Sequence, residues 1–337
     1  MHPRVLGTWP VTLPVILLTV GIPFNSAYPA GDAEIWHPRK QGRFIVSLCE
    51  DNDGGIWVGT EGNGLWRKAP DEDNWTHVTR ASTGGFAEEL GPVLTTGTAA
   101  ETCLGDDNIY ALACDRRGRI WAGHLNHGVS VFNGTAWRNY DVLSGPLGER
   151  VFDIAVCPVD GDVWIASDAG LARYREKQDT WSYYTRADGL PEDQANSLAF
   201  DKSGRLFVGT QCHGIAVAPA RKEARGRLAY PRWRVVSAPE RFGPGKKWQL
   251  PLSPAGNGLP TNMINQVLVG RDGTVWAATM AGLAFSRDGG RSWRYIRGKN
   301  FVAKVEKSWA GTPPGWKRPP RNVMQRLLPE DYITCLA

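Results

Sequence analysis

Polar side chains that could bind a ligand recur at one kind of place in the sequence, directly after a short apolar run that carries Trp or Phe. The candidate ligand contacts are Glu61, Asn63, His124, Asn126, His127, Asp168, Gln211 and His213. Carboxylate, amide and imidazole groups that converge on a concave surface suit a polar ligand such as a sugar. Ordinary solvent-exposed turns are the competing interpretation, and the sequence leaves both open.

Metal binding and catalysis have weaker support in the same residues. A metal ion would be bound by His124, His127 and His213 with Cys212. The sequence shows no residues that would orient the imidazoles of a His-x-x-His motif on a turn. We therefore predict no metal and no cofactor. The 337 residues contain no Gly-x-Ser-x-Gly, phosphate-binding loop or His-Glu-x-x-His, so no catalytic residue is assigned. A hydrolase or lyase function stays an alternative, because a carboxylate pair such as Glu61 and Asp168 could act in catalysis. Whether two carboxylates have the required separation depends on the fold.

The candidates belong to a repeat. Five segments share an apolar–aromatic core, and their aromatic residues are Trp57, Trp121, Trp164, Phe207 and Trp276. Positions 121, 164 and 207 are spaced by 43 residues, and the intervals 57–121 and 207–276 are longer by an insertion. A period of about 40–45 residues with four short strands per unit is typical of propeller blades. We expect these aromatic residues to pack between blades.

Each repeat predicts an apolar inner strand, an Asp-x-x-Gly turn, the aromatic strand, a third strand after Gly-Leu or Gly-Ile, and a fourth strand opened by Trp. The predicted fold is all-β, a β-propeller of four-stranded antiparallel blades with five complete blades and the start of a sixth. The predicted blades are residues 43–80, 108–141, 151–187, 195–236 and 263–297, with a partial blade at 331–337. Because the sequence stops within that blade, we expect a chain truncated at its C-terminal end.

Three insertions, residues 81–107, 237–260 and 297–328, each follow a fourth strand. In a propeller, this places them on the face that carries the turns between second and third strands. Residues 81–107 are acidic, whereas residues 297–321 are basic and contain prolines typical of partial disorder. They either flank a binding mouth, dock a protein partner, or are solvated loops.

The N-terminal 33 residues are typical of a secretory leader. A positive start at Arg4 precedes an apolar run from Val11 to Phe24, and small residues follow. We expect export to the periplasm or the extracellular space, with membrane contact only through a retained leader or segments beyond the sequence. Around Trp36 a fourth-strand pattern precedes the first blade and predicts a strand that closes the ring. The net charge of +5 is mild, and we expect no nucleic-acid partner.

The repeat resembles the two-component regulator propeller family. Residues 196–215 carry that family's Asn, Asp-x-x-Gly, aromatic-Val-Gly-Thr and Gly-Ile at matching positions, and the resemblance covers about residues 34–337. It implies a sensor propeller of the periplasm, often responsive to glycans. The sequence shows no histidine-kinase or receiver segment, so the resemblance implies no kinase activity here.

A second resemblance is local. Ser286, Asp288, Gly290 and Trp293 match the Asp-box, Ser-x-Asp-x-Gly-x-x-Trp, of sialidase-like propellers. It implies a structural turn between third and fourth strands, on the face opposite the insertions, and no sialidase activity. The leading hypothesis is an exported, non-enzymatic propeller that binds a glycan or another polar ligand. A protein-interaction scaffold and a polysaccharide hydrolase or lyase are the alternatives.

Overall fold

The computed structural model describes residues 44–83, 103–222, 228–230, 232–239, 251, 253–306 and 316–336. The predicted leader at residues 1–33, the strand predicted around Trp36 and much of the insertions 81–107 and 237–260 lie outside these residues. In the described part, five antiparallel sheets of four or five strands follow one another along the chain, and a two-stranded hairpin forms a sixth sheet. This confirms the predicted all-β propeller of four-stranded blades.

The first three blades each contain four strands in sequential order. Blade 1 contains β1 (Ile45–Glu50), β2 (Ile56–Thr60), β3 (Leu65–Lys68) and β4 (Trp75–Val78). Blade 2 contains β5 (Ile109–Cys114), β6 (Ile120–His124), β7 (Val129–Phe132) and β8 (Trp137–Tyr140). Blade 3 contains β9 (Val151–Val156), β10 (Val163–Ser167), β11 (Gly170–Arg175) and β12 (Thr180–Tyr184).

Blades 4 and 5 carry additions that the repeat does not predict. Blade 4 contains β13 (Ala195–Phe200), β14 (Leu206–Thr210), β15 (Ile215–Ala218) and β18 (Arg234–Val236), with a hairpin of β16 (Arg221–Lys222) and β17 (Leu228–Ala229) before its fourth strand. Blade 5 contains β20 (Ile264–Val269), β21 (Val275–Thr279), β22 (Gly282–Ser286) and β23 (Arg294–Ile296). A fifth strand, β19 (Ala255–Asn257), pairs with β23 at its outer edge. Two short helices follow, α1 (Phe301–Glu306) and α2 (Arg321–Met324), within the predicted insertion 297–328. No helix in the described residues has the length and apolar character to cross a bilayer.

Four of the five repeated aromatic residues pack between consecutive blades, as predicted. Trp121, Trp164 and Phe207 are fully buried, Trp57 is nearly so, and each lies in an apolar cluster that joins its own blade to the next. Trp276 of blade 5 is half-buried and packs against Phe285 with ring centroids 5.3 Å apart. Burial of these large aromatic side chains stabilises the packing of one blade on the next.

The Asp-x-x-Gly turn also anchors the neighbouring tryptophan. In blades 1 and 2, one carboxylate oxygen of Asp51 or Asp115 accepts backbone N–H groups of the turn, and the other accepts the indole N–H of Trp57 or Trp121 at 2.9 and 2.8 Å. In blade 3, Cys157 stands at the place of this aspartate, since its N–H closes the equivalent turn. The indole N–H of Trp164 consequently has no hydrogen-bond partner within the described chain.

Residues 331–336 lie where a sixth inner strand would begin, although no strand is assigned to them. The side chain of Asn265 in β20 donates to the carbonyl of Ile333 at 2.6 Å, just as Asn196 in β13 donates to the carbonyl of Ile264 at 2.9 Å. Asp331 is held by a fully buried ion pair with Arg297, with N···O distances of 2.5 and 2.6 Å. Arg297, counted by sequence among the basic residues of an insertion, therefore fastens this segment to blade 5.

Candidate functional site

The face that carries the turns between second and third strands, called here the mouth face, is built on a repeated clamp. In four of the five blades, the second strand ends in a hydroxyl side chain that fixes the following turn by donating to a glycine carbonyl. The four bonds, of 2.7–3.0 Å, are Thr60 to Gly64, Ser167 to Gly170, Thr210 to Gly214 and Thr279 to Gly282. Those glycines have positive φ, which only glycine adopts without strain.

A second bond fastens turns of this face to the next blade. In four blades the glycine N–H donates to a carbonyl two residues before the following inner strand or the Ile333 segment. The pairs are Gly64 to Asp107, Gly128 to Glu149, Gly214 to Asn262 and Gly282 to Asp331. The mouth face is therefore a set of rigid turns whose remaining side chains are free to differ.

The structure places seven of the eight predicted ligand contacts at solvent on this face. Glu61, Asn126, Asp168 and His213 are exposed, whereas Asn63, His127 and Gln211 are partly buried. Contacts recorded in the described residues do not join Glu61 to Asp168, which lie in blades 1 and 3. The structure therefore places these seven residues on one face of the molecule. Only some of them lie near one another.

In blade 4, the predicted residues contact polar partners that the sequence analysis missed. The side-chain oxygen of Gln211 accepts from the amide groups of Asn196 at 3.0 Å and Gln194 at 3.4 Å. The imidazole of His213 lies 3.2 Å from the carboxylate of Glu192, which also accepts the N–H of Cys212. The missed residues lie just before or at the start of the inner strand. The Leu-Pro-Glu-Asp pattern at residues 190–193, which recurs at residues 328–331, was the available signal, because chain entering a blade must pass the mouth face.

His124 is not a surface ligand contact, contrary to the sequence prediction. It is the last residue of β6 and is fully buried, where the other blades carry Thr or Ser. Its Nε2 lies 2.6 Å from the hydroxyl of Ser130, which donates to Asn139 at 2.6 Å and accepts the N–H of Gly105 at 3.0 Å. The imidazole therefore does not make the hydrogen bond to a glycine carbonyl that Thr or Ser makes in the other blades. It instead joins a hydrogen-bond network with the third and fourth strands of its own blade.

Burial lowers the pKa of His124 to about 4. Asp106 raises this pKa and His127 and Arg80 lower it, but desolvation is the largest cause. His127 lies at the rim of the same cluster, with its Nδ1 3.9 Å from Asp106. Within the described part of the chain, no three His, Cys, Asp or Glu side chains come together in a way that could hold a metal ion.

The turn at residues 286–293 lies on the opposite face and is held internally. The hydroxyl of Ser286 donates to Asp288 at 2.8 Å and accepts the N–H of Gly290 at 2.8 Å, and the indole of Trp293 donates to the Gly290 carbonyl at 3.0 Å. Asp288 accepts further bonds from Ser292, and these hydrogen bonds lower the pKa of its carboxyl. The residues matched to the Asp-box thus have structural partners, and the relation to sialidase-like proteins stays a resemblance.

Comparison with known proteins agrees with the fold. Residues 40–62 and 103–126 match the profile of the two component regulator propeller, which covers the inner and second strands of blades 1 and 2. No curated protein sequence matches the chain.

Solved structures similar to this chain share little sequence with it. One is named as the extracellular domain of a hybrid two component system of B. thetaiotaomicron, with 18% identity, a TM-score of 0.50 and coverage of 75% of this chain and 28% of that one. An auxiliary nutrient binding protein of the same species has 10% identity, a TM-score of 0.49 and coverages of 76% and 57%. A gluconolactonase from Xanthomonas campestris has 13% identity, a TM-score of 0.45 and coverages of 81% and 88%. The chain thus spans about a quarter of the first of these proteins, and the likeness shows the propeller fold.

Proposed function

We propose that this chain is an exported, non-enzymatic, sensor-type propeller that binds a small polar ligand, most simply a glycan, on its mouth face. The observation that carries the proposal is the contrast between the clamps, each of which recurs in four of the five blades, and the variable side chains of the turns. The same hydroxyl and glycine bonds recur from blade to blade, while the exposed positions differ in charge and type. Rigid turns that present different polar groups are the usual construction of a recognition surface.

The polar groups of blade 4 support the choice of a polyhydroxylated ligand. Gln211, Gln194 and Asn196 offer amide donors and acceptors side by side, and the imidazole of His213 and the carboxylate of Glu192 add two more polar groups. A sugar ring presents hydroxyl groups of both kinds at similar spacing, so such an array matches it. The match with the two component regulator propeller profile agrees with this reading of a sensor domain.

The test is a thermal-shift screen of the full chain against neutral oligosaccharides, because a ligand that binds the folded state raises Tm in a concentration-dependent way. For any oligosaccharide that binds, we expect Gln211→Ala and His213→Ala each to weaken binding roughly tenfold, which corresponds to the loss of one or two hydrogen bonds. Arg271→Ala, an exposed side chain on the opposite face, is the matched control. Full affinity in both mouth variants would contradict the proposed site.

A further inference from the structure

A groove on the face opposite the mouth lies between blades 4 and 5 and is lined by arginines. Its volume is about 350 Å³, and its lining comprises Arg205, Val217, Pro219, Arg232, Trp233, Arg234, Gly289 and Arg291. Four of these eight residues are arginines and none is acidic. The predicted ligand contacts of the mouth face take no part in it.

Two of the arginines are held in place by the blade 5 turn. One guanidinium nitrogen of Arg205 donates to the carbonyl of Gly289 at 2.9 Å, and one of Arg234 donates to the carbonyl of Gly290 at 2.6 Å. Both glycines have positive φ, and a Cβ on Gly289 would collide with the Arg205 guanidinium. Each arginine uses one donor of its planar fork in these bonds, which leaves further N–H groups for a ligand.

The positive charge of the groove is only partly balanced. Arg205 has an ion-pair partner in Asp201, at 3.6 Å, and Asp288 lies near Arg234. Asp288 already accepts hydrogen bonds from Ser286, Ser292 and the N–H of Arg291. Burial, and then the charge of Arg205, lowers the pKa of Arg234, as expected where like charges gather. Two carboxylates therefore face four guanidinium groups.

We propose that this groove is a second binding site, for a sugar-sized molecule that carries a phosphate, sulfate or carboxylate group. Arginine forks bind such oxyanions through paired N–H···O bonds. The volume falls within the range of small-molecule pockets and exceeds what one free oxyanion needs. Val217 and Pro219 supply an apolar wall for the rest of the molecule.

The test is calorimetric titration of the full chain with glucose 6-phosphate, glucuronate, inorganic phosphate and glucose. Arg232→Ala and Arg291→Ala are the informative variants, because both side chains are exposed. Neither guanidinium group makes a hydrogen bond or an ion pair within the described residues. We expect each to weaken binding of the anionic sugars roughly tenfold and to leave Tm unchanged. Arg271→Ala, a charge-matched change on the same face but outside the groove, should leave the affinity as it is.

The outcomes separate the parts of the proposal. Anionic sugars that bind no better than glucose, or wild-type affinity in the Arg232→Ala Arg291→Ala double variant, would overturn it. Inorganic phosphate that binds as tightly as glucose 6-phosphate would overturn the sugar-sized ligand and assign the groove to free oxyanions. His213→Ala on the mouth face should have no effect, so failure here is distinct from failure of the glycan site.

Discussion

Buried titratable side chains give individual residues measurable effects on pH stability. His124 stays neutral in the folded protein down to about pH 4, whereas an unfolded histidine takes up a proton near 6.5. The unfolded state therefore binds more protons between these values, and the stability from this residue falls as the pH falls from about 6.5 to 4. The loss amounts to at most about 3 kcal/mol.

We expect His124→Thr to remove this pH dependence. Threonine occupies the same place in blades 1, 4 and 5, where its hydroxyl donates to a glycine carbonyl. The measurement is urea unfolding of both proteins at pH 7, 6, 5 and 4. The difference between them is needed because burial raises the pKa of Asp153 to about 6, so that residue stabilises as the pH falls through the same range. Parallel stability curves for wild type and variant would contradict the assignment.

The aspartate of the turn should matter more where it anchors an indole. Asp115 accepts the Trp121 N–H at 2.8 Å and the Arg119 guanidinium at 2.6 Å, whereas Asp201 has Phe207 in place of the tryptophan and lies 3.6 Å from Arg205. Both bind the backbone of their turns. We expect Asp115→Ala to lower the free energy of unfolding by about 2 kcal/mol more than Asp201→Ala, because a buried N–H loses its acceptor. Chemical unfolding at pH 7 measures this, and equal losses would show that only the turn matters.

At the scale of elements, a buried ion pair adds to the hydrogen bonds that hold residues 331–336 against blade 5. Arg297 and Asp331 are fully buried, and Arg297 also donates to the carbonyl of Pro251 at 2.5 Å. Asp331→Asn leaves that guanidinium without its counter-charge, so we expect a loss of about 3–5 kcal/mol in the free energy of unfolding. Arg138→Met, which removes an exposed pair to Asp179 at 4.0 Å, is the control and should cost less than about 1 kcal/mol. Similar losses in urea unfolding of the two variants would refute the fastening role.

The elements that the sequence predicts are those formed by local interactions that recur in each repeat. The inner strands, the aromatic strands and the Asp turns recur with the same side chains, and hydrogen bonds within each blade explain them. The hairpin of β16 and β17 and the edge strand β19 occur once, and their pairing partners lie in other elements, so no period reveals them. Trp233 and Trp293 also stand just before their fourth strands rather than in them.

The candidate site shows the same limit. Repetition locates the turns of the mouth face, and seven predicted residues do lie at its surface. The repeat does not predict that the side chain of His124 is buried, because its burial depends on Ser130 and Asn139 of other strands. Nor does it show the arginine groove, since Arg205 and Arg291 are far apart in sequence and meet only when blades 4 and 5 pack.

At the scale of the whole molecule, apolar clusters join consecutive blades, and one side of blade 1 is the exception. Four apolar clusters join blades 1 to 2, 2 to 3, 3 to 4 and 4 to 5. The other side of blade 1 has no such cover in the described structure. Its large apolar side chains are exposed: Phe44 by 63%, Val46 by 39%, Leu48 by 57% and Ile56 by 39%. A contiguous apolar patch of this kind favours association.

We therefore expect the chain to self-associate in a concentration-dependent way, and Leu48→Lys to reduce this association by placing a charge in the middle of the patch. Sedimentation velocity over a range of protein concentrations measures the effect. Leu143→Lys is the matched control, because Leu143 is 79% exposed but belongs to the connection between blades 2 and 3, where its exposed apolar neighbours are Val142 at 38% and Leu147 at 37%. This smaller group of exposed side chains buries less area on contact than the patch on blade 1 and should contribute little to association. If wild type stays monomeric at all concentrations, or if both lysine variants act alike, the uncovered side of blade 1 is not what holds the copies together.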